Sequence, residues 1–175
     1  MPDFALRYPI GKYVSQPFSL QQKNDWLNDL RFLPGSIEQA ILNLDEAQLE
    51  TPYREGGWTV KQLIHHIGDS HLNAYCRFKW ALTESIPVIK TYDEKRWATL
   101  DDCKKLPVNV SITLLHALHL RWVSALEDIP DQAWKRKLFH PEHMEVTLWN
   151  LLGMYAWHGR HHLAHITGLR ERNGW

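Results

Sequence analysis

Cysteine is scarce in this chain. Its 175 residues include only Cys76 and Cys103, too few for a disulfide scaffold and without CxxC spacing. Neither sign of charge is in excess. Twenty Lys and Arg balance twenty Asp and Glu, so the basic footprint of a nucleic-acid binder is missing. No apolar run approaches the roughly 20 residues of a membrane span. The segment Met1–Lys12 lacks the apolar stretch of a secretory signal. Low-complexity tracts, long Pro/Gly/Ser linkers and short-period repeats are also missing. The expectation is one cytoplasmic domain over residues 1–175, with no nucleic-acid and no membrane partner. With 44% hydrophobic residues the chain can bury a core, and disorder is excluded. The plentiful residues are unusual ones, 11 His and 9 Trp.

Apolar residues recur at three- and four-residue spacing, which predicts helices. Ser19 and Gln22 form a capping box opening a first helix, with Trp26, Leu27, Leu30 and Leu33 on its stripe. Pro34 and Gly35 should kink or interrupt it before Ile37, Ile41 and Leu44 resume the pattern. Thr59 and Gln62 open a second helix over Val60–Thr83. Residues 86–107 read as a long crossover loop. A third helix fits Ser111–Glu127, and residues 131–146 read as a loop with room for a short hairpin. A fourth runs from Thr147 to about Arg172, with cationic Arg170 and Arg172 suited to its last turn. The prediction is an all-α four-helix bundle.

The fourth helix carries His158, His161, His162 and His165. His158 and His162, four apart, share one face a single turn apart, the spacing by which two imidazoles reach one metal ion. His161 lies to one side and is expected at the surface. On the second helix a wheel drawn from His66 places Asp69, Asn73, Arg77 and Glu84 along one line, where a plain bundle would have Leu. A lone His on an apolar face is ordinarily a satisfied core residue. A polar line facing a His pair instead suggests an internal site, with His66 as the third ligand. Three imidazoles without a fourth protein ligand match an open, catalytic site. Imidazole ligation suits Zn, Ni, Cu or Fe, and geometry rather than ligand type decides among them; Zn is the first expectation and Ni the second. The stretch is not HExxH, so a zincin-type base is missing. Asp69 and Glu142 are the candidates for a base or a partner to a ligand.

These residues together resemble the DinB-like superfamily, and within it the YfiT-type proteins. The resemblance rests on RYPIGK at Arg7–Lys12, GGWTV at Gly56–Val60 and HHIGDSH at His65–His71 with Asn73, Tyr75, Arg77 and Lys79. It continues through His119, Arg121 and Trp122, HPEH at His140–His143, and YAWHGRHHLAHI at Tyr155–Ile166. It covers almost the whole chain. It implies a four-helix bundle, often a homodimer, that holds one divalent metal per chain through His66, His158 and His162. Such proteins are described as metal-dependent hydrolases, one branch as bacillithiol S-transferases. The expected activity is transfer of a low-molecular-weight thiol to an electrophilic substrate, with Asn73 and Arg77 holding the thiol's polar tail. Hydrolysis by activated water is the first alternative, and a non-catalytic metal-binding role in stress response the second.

Overall fold

A computed structural model describes residues 2–175, with side chains from Phe4 onward; Met1 lies outside the described residues. The elements are α1 (Pro2–Arg7), α2 (Leu20–Ala40), α3 (Glu46–Leu49), α4 (Val60–Thr83), α5 (Glu94–Trp97), α6 (Asp101–Lys105) and α7 (Val108–Leu126). A 3₁₀ turn (Asp131–Lys135), the hairpin β1 (Lys137–His140) and β2 (Met144–Thr147), and α8 (Leu148–Asn173) follow.

The helix starts follow from local chemistry. Ser19 Oγ accepts from the Gln22 N–H at 3.1 Å. Thr59 and Gln62 cap each other reciprocally, both at 3.1 Å. Thr147 caps the Asn150 N–H, and α8 ends on Gly174 in the left-handed region, φ 66°. The expected four-helix bundle is thus formed by α2, α4, α7 and α8.

Its arrangement is less simple than chain order suggests. α2 packs on α7 and α8, and α4 packs on the same two helices. Consecutive α2 and α4 therefore face each other across a diagonal, as do α7 and α8. In a plain up-and-down bundle consecutive helices would be neighbours. α2 and α8 approach closely through glycine: a Cβ on Gly153 would meet the Trp26 ring at 2.5 Å, and one on Gly159 would meet Leu33 at 2.6 Å.

Three sequence expectations need correction. Pro34 does not interrupt α2, which runs unbroken to Ala40 with the proline buried inside it. An interior proline costs a helix ~3 kcal/mol in isolation, so packing must hold this one in place. The long connection between α4 and α7 is present, but it folds locally into α5 and α6. α7 begins at Val108, directly after Pro107, rather than at Ser111. Ser111 Oγ is engaged with His65 Nδ1 at 2.7 Å, and His65 Nε2–H donates to the Leu106 carbonyl at 3.2 Å. That pair pins α4 to α7.

Apolar packing falls into two blocks. One gathers Trp26, Leu30, Phe78, Trp122, Trp134 and Leu152. The other gathers Ile37, Leu63, Ile64, Leu115, Ile166 and Leu169. Between them, at one level of the bundle, lie His66 and His71 on α4, His119 on α7, and His158 and His162 on α8.

Candidate metal centre

The histidine belt is almost wholly inside the protein. His66, His71, His119 and His162 are buried and His158 is nearly so. Burial penalises the imidazolium form. It holds His66 and His119 near pKa 4 and pushes His71, His158 and His162 well below 6.5. All five are therefore neutral at pH 7, with one lone pair each, which is the state a metal requires.

The predicted triplet is brought together. His158 Nε2 lies 3.3 Å from His66 Nε2 and 3.1 Å from His162 Nε2. For metal–nitrogen bonds of about 2.0–2.1 Å, tetrahedral ligands stand ~3.3–3.4 Å apart. The two separations from His158 thus match that ligand spacing, and all three ligand nitrogens lie within 4.8 Å of one another, close enough to hold one ion. Trp58 packs against His66, ring centroids 4.5 Å apart, and fixes its outer side.

The triplet opens onto a cavity of about 620 Å³. Arg7, Arg54 and Lys95 bring positive charge to the cavity wall, against one carboxylate, Glu94. Tyr8, Tyr53, Trp58 and Trp157 give it aromatic faces. Periodicity assigns none of these residues: all but Trp157, which lies on α8, come from loops and short helices. The signal available was that Arg7 and Trp58 sit in the stretches carrying the family resemblance.

The other predicted residues lie elsewhere. Arg77 is 8% exposed and does not line the cavity. Its Nη1 donates to Tyr155 Oη at 2.8 Å and its Nη2 to the Lys90 carbonyl at 3.4 Å. Asn73 turns its amide back onto the Asp69 carbonyl at 2.9 Å. Neither is placed to hold a ligand's tail in the cavity. Asp69 is half-buried, its carboxyl raised to about 6 by burial and by Asp102, and it too is off the cavity wall. Glu142 is exposed in the hairpin turn. His161 is not at the surface. It is 7% exposed, stacked on Trp157 with centroids 4.5 Å apart, and Tyr8 approaches its ring. The N-terminal segment covers it, tied down by Trp157 Nε1–H to the Gly11 carbonyl at 3.1 Å.

The bundle, the histidine belt and the sequence agree on a family. A model of the DinB superfamily matches residues 30–166, and the chain belongs to that superfamily. It is 47% identical over 177 residues to "Putative metal-dependent hydrolase YfiT" of Bacillus subtilis, covering 100% of this chain and 99% of that protein. A Bacillus cereus protein named "Putative metal-dependent hydrolase" is 49% identical over 171 residues, 97% of this chain and 98% of its own. Among solved structures, that of YfiT from Bacillus subtilis matches with TM-score 0.95 over 98% of this chain and 99% of that one. It is described as "a probable metal-dependent hydrolase with an unusual four-helix bundle topology". The diagonal placement of consecutive helices fits those words. Among the described residues, no helix is long and apolar enough to cross a membrane.

Proposed function

We propose that this chain is a metal-dependent enzyme whose single divalent ion, zinc or nickel, is held by His66, His158 and His162. The observation that carries the reading is the meeting of three neutral Nε2 atoms at ligand spacing on the wall of an open cavity. The names of the relatives support metal dependence in general. In the finer reading the enzyme transfers a low-molecular-weight thiol to an electrophilic carbon. A bound ion would supply an open, positively charged position that lowers the pKa of a thiol or a water entering it.

The chain's own residues then have defined tasks. Arg7, Arg54 and Lys95 bind an anionic tail of the thiol, taking the part that the sequence assigned to Asn73 and Arg77. Trp58 and Trp157 cover the apolar part of the substrate and exclude water. The thiol sulfur forms a bond to the electrophilic carbon, the leaving group departs with the bonding pair, and the thiol proton goes to solvent.

Hydrolysis is the second reading, favoured by the relatives' names and by Glu94, a carboxylate on the cavity wall that could take a proton from water. A conjugation assay with a chlorinated or epoxide electrophile and a panel of thiols separates the two. Thiol loss should require metal, depend on which thiol is offered, and vanish in His158→Ala. Arg54→Ala should raise the KM for an anionic thiol several-fold while changing kcat little. Metal-dependent ester turnover without thiol consumption would replace transfer with hydrolysis.

A further inference from the structure

Pro34 sits inside α2 and has no N–H. In an unbroken helix the carbonyl four residues back, that of Leu30, would receive that N–H. Here the Leu30 carbonyl accepts instead from His119 Nδ1–H on α7, at 2.5 Å. A carbonyl cannot donate, so this contact fixes the proton of neutral His119 on Nδ1 and leaves a lone pair on Nε2. That lone pair lies 2.9 Å from His71 Nδ1, which must therefore carry the His71 proton. His71 Nε2 in turn lies 3.1 Å from His158 Nδ1, which must carry the proton of His158. The remaining lone pair of His158 is on Nε2, the atom that faces His66 and His162. One backbone carbonyl thus determines three tautomers in sequence.

We propose that Pro34, His119 and His71 are positioning residues for His158. Pro34 withholds the helical N–H from the Leu30 carbonyl, and the freed carbonyl anchors a His119–His71–His158 chain that fixes the ring and the tautomer of His158. The proline thus permits this chain at the expense of helix propensity. The link from His158 to an ion rests on the three-histidine reading above. The tautomers do not, since they follow from the protein alone. A ligand whose far nitrogen is held in this way is more basic and better aimed, and losing such support commonly weakens metal binding 10–100-fold.

Two measurements test this without recourse to turnover. The first is long-range ¹H–¹⁵N correlation spectroscopy on metal-free protein labelled at histidine, near pH 7.5. His71, His119 and His158 should all be Nδ1–H tautomers. The second is zinc affinity measured by competition with a chromogenic chelator. His119→Leu should weaken zinc binding by about 10–100-fold. His119→Gln, whose amide both donates and accepts, should recover most of that loss. Pro34→Ala should weaken binding several-fold although its melting temperature is unchanged or higher. An Nε2–H tautomer at His119, His71 or His158, or unaltered zinc affinity in Pro34→Ala, overturns the proposal. Nδ1–H tautomers in a protein that binds no zinc would uphold the chain and overturn the three-histidine reading instead.

Discussion

Replacing His158 with alanine is expected to reduce bound metal from one equivalent per chain to near zero while leaving the bundle folded. His158 is the hub of the belt. Its Nε2 meets His66 and His162, and its Nδ1 meets His71. Removing a mere supporting hydrogen bond from a metal ligand costs about 10–100-fold in affinity, so removing the ligand must cost more. The apolar blocks above and below the belt do not include His158. Far-UV circular dichroism should therefore keep its helical signature, as it should when the wild-type protein is stripped with chelator. His161→Ala is the matched control. That ring stacks on Trp157 outside the triplet, and its removal should leave metal content unchanged. Equal metal loss in both variants would show that the belt responds to repacking rather than to the ligand itself.

Acid is expected to unfold the metal-free protein cooperatively. In the unfolded chain each histidine takes up a proton near pH 6.5. In the folded protein, burial holds His66 and His119 near 4, and His71, His158 and His162 are pushed down as well. Below pH 6.5 the unfolded state thus binds more protons than the folded one. Stability is complete above pH 6.5 and is lost as the pH falls toward 4 and below. A pKa lower by about 2.5 than in the unfolded chain corresponds to on the order of 3 kcal/mol. Two such groups already rival the roughly 5–15 kcal/mol that holds an ordinary domain together. The melting temperature of the metal-free protein should fall steeply between pH 6.5 and 4.5, and the near-UV signal of its tryptophans should collapse by about pH 4. Bound metal should move the transition to lower pH until protons displace it. A melting temperature flat from pH 7 to 4 would mean that the belt is hydrated and not buried.

The parts of this protein legible in its sequence are those governed by local rules. The Ser19 and Thr59 caps need only residues three positions away, and both helices start where those caps place them. His158 and His162 share a face because a helix dictates it, and the polar line through His66 marks the facing helix. The illegible parts depend on distant segments. A wheel puts Arg77 on the line of His66, but eleven residues of helix is about 16 Å, so Arg77 serves another level of the bundle and meets Tyr155. His161 looks exposed on a wheel because a wheel knows nothing of the N-terminal segment that crosses α8 through Tyr8, Gly11 and Gln16. Pro34 reads as a breaker because its propensity is local, whereas the group that uses the freed carbonyl, His119, lies 89 residues from Leu30. The diagonal order of the helices is likewise a property of connections and has no periodic signature.

The central claim is that His66, His158 and His162 form one metal site. It is tested most directly by an anomalous difference map from crystals grown with zinc. The account predicts one strong peak about 2.0–2.1 Å from the three Nε2 atoms, with an open position toward the cavity lined by Arg54 and Trp58. His161, His162 and His165 also lie close enough together to hold an ion. A peak among those three, or zinc bound only at the His140–His143 turn, would contradict it.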